Sequence, residues 1–244
     1  LIDKLKLSSK KLIILDYDGT LVNFKDNPEL AIPDDNLIEI LNNLTSIKGL
    51  DVAIVSGRDK IFLEDNLGEL DLTLIAEHGH FYKKKNKNWR DLGIIDNGFL
   101  DEIYSILQSF SDKTPGTFTE KKESGLVWHF RKSDPELAIE RVVEIETVLN
   151  SLLTDQFQIL NLNKAIEITS RKFDKGSAVD LLTKNKNYDY ILCIGDDVTD
   201  ENMFKSLDKN STSIKVGTKN TIAKFYIKDT KGVIDLLSEL INRL

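Results

Sequence analysis

Five short apolar runs each stop at a small or acidic residue, and that recurrence restricts the fold more than any other feature of the chain. The runs are Lys11–Leu15 before Asp16, Asp51–Val55 before Ser56, Leu72–Ala76 before Glu77, Tyr190–Ile194 before Gly195, and the weaker Ser213–Val216 before Gly217. Unbroken apolar runs of this length suit strands buried on both faces, as in a parallel sheet. Helical patterns lie between some of them. Asp34–Leu44 carries Leu37, Ile38, Ile40, Leu41 and Leu44 at helical spacing with Pro33 just ahead. Lys175–Lys184, Thr199–Leu207 and Gly232–Leu244 read as helices too. The alternation predicts an α/β fold with a doubly wound, Rossmann-like parallel core.

From about Phe81 to Ser170 the texture changes. Asp96–Phe110 reads as a helix, Thr117–Glu123 and Leu126–Arg131 as a hairpin around Ser124-Gly125, and Pro135–Leu153 as a long amphipathic helix. Phe157–Leu162 and Ala165–Thr169 form a second hairpin around Asn163-Lys164. Helix-strand-strand-helix-strand-strand describes an α+β domain over residues 81–170, inserted into a core of residues 1–80 and 171–244. A cleft between two such domains is a natural place for a small molecule.

The chain's 244 residues suffice for a core without disulfides or a structural metal. No apolar run approaches the ~20 residues of a membrane span. A formal net charge of −7 argues against sequence-independent nucleic-acid binding. The lysine-rich stretch Lys83–Arg90 reads instead as a solvated hairpin tip. The one cysteine, Cys193, lies in an apolar run and reads as a core residue. A single thiol and a charged, signal-free N-terminus fit the cytoplasm.

Four motifs carry chemistry. Asp16-Tyr17-Asp18-Gly19-Thr20 follows Leu12-Ile13-Ile14-Leu15, so a strand delivers two carboxylates to a sheet edge where ligands bind in open α/β folds. One acid can attack as a nucleophile while the other moves a proton. The calcium-loop reading fails, because Gly19 comes two places early and Asn27 stands at the closing glutamate position. Asp16, at a strand end, is expected to be exposed. Ser56-Gly57 offers a hydroxyl and backbone N–H groups as an anion seat. Asp174-Lys175-Gly176 opens a helix; the lysine can hold a phosphate and an aspartate nucleophile together, and Asp174 can cap the helix. Gly195-Asp196-Asp197-Val198-Thr199-Asp200-Glu201 puts four acids in six residues, a repulsion that a hard cation such as Mg²⁺ resolves.

In this order and setting, the motifs resemble those of the haloacid-dehalogenase superfamily of aspartyl-phosphate phosphotransferases. The resemblance makes Asp16 the nucleophile and Asp18 the acid/base, with Ser56, Gly57 and Lys175 on the phosphate. Asp196 would join Asp16 and the Asp18 backbone carbonyl around Mg²⁺, with Asp197 and Asp200 in support. A finer resemblance spans nearly the whole chain. Val55-Ser56-Gly57-Arg58, Ala76-Glu77-His78-Gly79, Glu120-Lys121-Lys122, Trp128-His129-Phe130-Arg131 and Ala165-Ile166-Glu167-Ile168 look like the trehalose-6-phosphate phosphatase family. That family likeness implies a Mg²⁺-dependent phosphatase of trehalose biosynthesis, with trehalose 6-phosphate as substrate. It also implies a cap closing over the sugar, and sugar or phosphate contacts from His78, Gly79, Glu120, Lys122, Arg131 and Glu167.

The Glu-His-Gly tripeptide with Trp89 downstream looks most like the phosphatase half of chains fused to trehalose-phosphate synthase, and a start at Leu1 without methionine fits an excised half. One departure stands out: Ile168-Thr169-Ser170-Arg171 occupies the place where family members often carry Arg-Pro. From pattern alone, Glu120 and Glu167 would lie on the solvated face of strands, and His129 would be a packed, hydrogen-bonded histidine. His78 and His80 lack further soft ligands for a metal pair. The rival expectations are a phosphatase for another sugar phosphate, such as sucrose or mannosylglycerate phosphate, and a silent sugar-phosphate-binding module of a synthase.

Overall fold

The computed structural model describes residues 2–184, 186–217 and 220–244. Its strands are β1 (Lys11–Leu15), β2 (Leu50–Val55), β3 (Thr73–Ala76), β4 (Phe81–Lys84), β5 (Arg90–Asp91), β6 (Phe118–Lys121), β7 (Gly125–His129), β8 (Phe157–Leu162), β9 (Ala165–Ser170), β10 (Tyr190–Gly195), β11 (Thr212–Val216) and β12 (Phe225–Ile227). Its helices are α1 (Ile2–Leu7), α2 (Asp35–Thr45), α3 (Lys60–Leu67), α4 (Asn97–Lys113), α5 (Pro135–Leu152), α6 (Lys175–Thr183), α7 (Asp200–Lys205) and α8 (Thr230–Arg243). The chain divides into two compact units, one of residues up to Leu92 with Asp174–Leu244, the other Gly93–Phe173.

The first unit holds an eight-stranded sheet ordered β12-β11-β10-β1-β2-β3-β4-β5. Neighbours from β12 to β3 run parallel, whereas β4 and β5 are antiparallel additions at one edge. Side chains alternate along each strand, so the sheet builds two cores. Ile13, Leu15, Val52, Ile54, Leu192 and Ile194 pack with α2, α3 and α8 on one face. Leu12, Ile14, Ala53, Val55, Ile191 and Cys193 pack with α6 and α7 on the other. Helices on both faces explain why β1 is apolar at both parities. α2 begins because the Asp34 carboxylate accepts the Leu37 N–H at 2.8 Å, and it buries Leu37, Ile40, Leu41 and Leu44. A cap of this kind is worth ~1 kcal/mol. Cys193 is fully buried, as expected, and burial pushes its thiol up, away from the reactive thiolate.

The second unit packs α4 and α5 against a four-stranded antiparallel sheet ordered β6-β7-β9-β8. Its core includes Leu100, Ile103, Trp128, Ile145, Leu149, Phe157, Ile166 and Ile168.

This unit begins at Gly93, not at Phe81 as the sequence suggested. Phe81–Lys84 pairs with Thr73–Ala76 and extends the large sheet. A second correction concerns Lys83, which is buried rather than solvated. Its ammonium pairs with Glu64, whose carboxylate also accepts Trp89 Nε1–H at 2.8 Å. Lys85 and Lys87 are exposed. No helix among the described residues is long and apolar enough to cross a membrane.

Candidate active site

β1, β2 and β10 lie side by side in register, with Leu15 opposite both Ile54 and Ile194. Their C-terminal ends deliver Asp16, Ser56 and the acidic loop after Gly195 to one edge of the sheet. Asp16 is buried at 3% exposure, not exposed as its strand-end position suggested. Lys175, the first residue of α6, reaches it: Nζ donates to Asp16 Oδ1 at 2.6 Å and to Asp200 Oδ1 at 2.7 Å. Thr20 Oγ1 donates to Asp16 Oδ2 at 3.1 Å. Asp174 caps α6 by accepting the Ser177 N–H at 2.7 Å, while its own N–H donates to Ser177 Oγ at 3.1 Å. This reciprocal cap fixes where the helix starts, and hence where Lys175 points.

The acidic loop folds around Asp200. Its Oδ2 accepts the backbone N–H groups of Asp196 at 2.8 Å and Asp197 at 2.9 Å. With Oδ1 on Lys175, both Asp200 oxygens are engaged. Asp196 differs, because its Oδ1 is buried and has no hydrogen-bond partner. One carboxylate oxygen each from Asp16, Asp196 and Asp200 lie within 4.8 Å of one another. Burial, then the charges of Asp16 and Asp200, push Asp196 up to about 9. Burial and Asp200 raise Asp16 to about 6 despite the opposing Lys175. For Lys175 burial acts downward, but the two carboxylates outweigh it and hold the ammonium above its ordinary value. An all-oxygen cluster with surplus negative charge and an orphaned carboxylate oxygen fits a hard divalent cation.

Asp18 points elsewhere. Its carboxylate is gripped by Arg58, Nε to Oδ2 at 2.7 Å and the second fork nitrogen to Oδ1 at 2.6 Å. Ser56 is buried and its Oγ accepts the Arg58 N–H at 3.1 Å. Glu77 and His78 both take left-handed backbone, with φ of 48° and 58°, in a short turn tied to the β2 loop. Their N–H groups donate to the Arg58 and Ser56 carbonyls at 2.9 and 3.0 Å. The His78 ring lies against Gly57, where a Cβ would stand 2.7 Å from it. Gly79, at φ 119°, lies where a Cβ would come within 2.9 Å of the Asp174 carbonyl. His80 Nε2 lies 2.9 Å from Asp91 Oδ1, and among the described residues the three-ligand cluster is made of Asp16, Asp196 and Asp200 and includes neither His78 nor His80.

Within the second unit the remaining candidates are Glu120, Lys122, Arg131 and Glu167, of which Lys122 and Glu167 pair with each other. Glu167 is 1% exposed and bonds Lys122 Nζ at 2.9 Å, so it is no solvated strand residue. Glu120 Oε2 lies 2.7 Å from His129 Nε2, and the His129 ring stacks on Phe118. Burial acts upward on Glu120, yet the His129 hydrogen bond and the Lys122 charge hold it below the ordinary carboxylate value. Arg131 donates to the Asn163 carbonyl at 2.8 Å. Arg171 is exposed, and its N–H donates to the Gln156 carbonyl at 2.8 Å.

Two site neighbours escaped the sequence reading as functional residues. Arg58 stood in a quoted motif, but nothing in its spacing from Asp18 announced the ion pair. Lys215, inside the apolar run of β11, is buried and donates Nζ to the Asp197 carbonyl at 2.9 Å and to Glu201 at 3.2 Å. A lysine within a buried strand was the available signal, since such a charge needs a partner.

Comparison with known proteins identifies the family of the chain. The trehalose-phosphatase family model matches residues 14–231. The bifunctional trehalose-6-phosphate synthase/phosphatase of Thermoproteus tenax is 37% identical over 244 residues, covering 98% of this chain and 33% of that protein. The trehalose-phosphatase of Schizosaccharomyces pombe is 34% identical, covering 96% of this chain and 31% of its own. This chain thus spans about a third of the length of the curated relatives it matches. The solved C-terminal domain of a C. albicans trehalose-6-phosphate phosphatase superposes with a TM-score of 0.93 at 30% identity, covering 99% of this chain and 95% of that one.

Proposed function

The chain belongs to the trehalose-phosphatase family, and from that premise we propose that it hydrolyses trehalose 6-phosphate to trehalose and phosphate. One observation carries the reading: Lys175 holds Asp16 while Asp196 keeps a buried oxygen without a partner. A held carboxylate beside a cation suits in-line attack on phosphorus, and a structural ion pair has no use for the spare acid.

In this reading an Asp16 oxygen bonds to phosphorus as the bond from phosphorus to the sugar 6-oxygen breaks. The departing oxygen takes a proton from Asp18. Water then gives a proton to Asp18 and attacks the aspartyl-phosphate, which releases phosphate and restores the Asp16 carboxylate. Lys175, Ser56 and the Gly57 N–H offset charge on the phosphoryl oxygens. Mg²⁺ is the cation we assign to the acid cluster. Asp16, Asp196 and the Asp18 carbonyl would hold it, with Asp197 and Asp200 in support. When bound, it supplies positive charge against the phosphoryl oxygens.

We assign the sugar hydroxyls to Glu120, Lys122, Arg131 and Glu167, and the loop His78-Gly79 to the same substrate. A trehalose-phosphate synthase, fused or separate, is the partner we infer, and the cytoplasm the compartment. Neither nucleic acid nor membrane enters the reading. The test is phosphate release from trehalose 6-phosphate, sucrose 6-phosphate and a mannosylglycerate phosphate, with Asp16→Asn as control. Trehalose 6-phosphate is expected to be the best substrate, and Asp16→Asn to be inactive while folded. Equal rates across the panel would remove the sugar assignment, and an active Asp16→Asn would remove the nucleophile.

A further inference from the structure

The turn Asp16-Tyr17-Asp18 is held from a side that the reaction scheme leaves unused. Arg58 meets Asp18 with a two-pronged fork, at 2.7 and 2.6 Å, across 40 residues of sequence. The pair is largely shielded, at 12% and 24% side-chain exposure. The guanidinium carbon lies 4.2 Å from the centre of the Phe62 ring. Phe62 packs edge-on against Tyr17, with centroids 5.6 Å apart. Tyr17 is anchored in turn by its hydroxyl, which donates to the Ala31 carbonyl at 2.8 Å. The Arg58 backbone is fixed too, its N–H on Ser56 Oγ at 3.1 Å and its carbonyl accepting the Glu77 N–H at 2.9 Å. Both ends of the residue are therefore set by the fold before any substrate arrives.

Two parallel N–H···O bonds fix the rotation of a carboxylate as well as its charge environment, which a single ammonium cannot do. Each carboxylate oxygen has a second lone-pair site, so the grip leaves room for a proton. We propose that Arg58 is a positioning residue for Asp18: its fork, braced on Phe62, aims the Asp18 carboxyl for proton transfer at the departing oxygen. The proposal rests on the reading of Asp18 as acid/base.

The experiment compares kcat/KM for two substrates, because that ratio reports steps up to the first irreversible one. A sugar oxygen needs protonation as it leaves, whereas the p-nitrophenolate of p-nitrophenyl phosphate does not. A well-placed general acid contributes about 100- to 10,000-fold. Misaiming it in Arg58→Gln should lower kcat/KM for trehalose 6-phosphate by roughly 10- to 100-fold and change p-nitrophenyl phosphate by less than about threefold. Arg58→Lys keeps the charge but not the fork and should remain impaired on the sugar phosphate. Phe62→Leu, which removes the brace and leaves Arg58 in place, should show a smaller loss with the same substrate bias. Equal losses on both substrates would place Arg58 on the phosphate or in general stability and overturn the proposal. No loss in Arg58→Gln, or full rescue by Arg58→Lys, would overturn it as well. Asp18→Asn separates the two levels. If it shows the substrate bias and Arg58→Gln does not, only the positioning role falls. If Asp18→Asn lacks the bias, the acid/base reading and the proposal fall together.

Discussion

A Cβ at Gly19 would stand 2.3 Å from Asp196 Oδ2, so the turn that follows the first carboxylate pair is the floor on which the distant acidic loop rests. Gly19 also takes φ 79°, a region that L side chains avoid. Gly19→Ala is therefore strained twice. The backbone alone should cost ~1–2 kcal/mol. Asp196 has to move, and a 1 Å misplacement in a site of this kind costs turnover on the order of 100-fold. Urea unfolding and steady-state phosphate release together measure both effects.

Lys175 is the one cation seen bridging Asp16 and Asp200 among the described contacts of these two residues. Lys175→Met would leave Asp16, Asp196 and Asp200 crowded and unpaired, and breaking a buried ion pair typically costs ~3–5 kcal/mol. Chemical denaturation in the presence of chelator should show a loss of that size. Added Mg²⁺ should recover part of the stability without recovering turnover.

The raised acids set a pH dependence whose sign is unusual for carboxylates. Asp16 is lifted from 3.8 to about 6 and Asp196 from 3.8 to about 9, so the native state binds more protons than the unfolded chain across that range. Stability of the metal-free protein should then fall as pH rises from about 4 to about 9. Thermal melts in chelator are expected to decline across this window and to flatten when Mg²⁺ is added. Calorimetric titration near neutral pH, repeated in buffers of different ionisation enthalpy, should detect proton release on Mg²⁺ binding.

Glu120 and Glu167 are expected to act on the sugar and not on phosphorus. Glutamine keeps their shape and removes the charge-assisted hydrogen bond, worth ~1.5–3 kcal/mol. Glu120→Gln or Glu167→Gln should lower kcat/KM for trehalose 6-phosphate by roughly 10- to 150-fold while changing p-nitrophenyl phosphate far less. Glu120→Gln should keep a near-native melting temperature because its pair with His129 is partly exposed, whereas Glu167→Gln removes the carboxylate opposite the largely buried Lys122 ammonium and should melt lower.

The strands that carry the site were legible because their apolar runs are unbroken and end in chemistry-bearing residues. The helix starting at Lys175 was legible for a similar reason, with its capping aspartate in plain view. What stayed hidden depends on side-chain reach. Arg58 crosses between two strand ends to find Asp18, and Lys215 runs from a buried strand to a loop carbonyl. Periodicity reports which face a residue occupies, not how far a long side chain extends. The burial of Asp16 was misjudged for the same reason, because a strand-end position says nothing about what closes over it. Phe81–Lys84 was assigned to the wrong unit because four residues with two lysines carry little hydrophobic pattern. Their pairing with β3 supplies the order that composition does not.

The central strand also dictates an order of events during synthesis. Lys11–Leu15 pairs on one side with Leu50–Val55, made soon afterwards, and on the other with Tyr190–Gly195, made only after the whole of Gly93–Phe173 has been translated. Until then the nascent chain presents an apolar strand with one open edge, a template for pairing with the wrong chain. The inserted unit brings its own core and its own sheet, so it is built to condense while the first unit waits. Lys175 and Asp196 emerge in the same late stretch that closes the sheet, so a chain truncated ahead of them lacks both residues together with β10, β11 and β12, and one edge of Lys11–Leu15 stays open to a foreign strand.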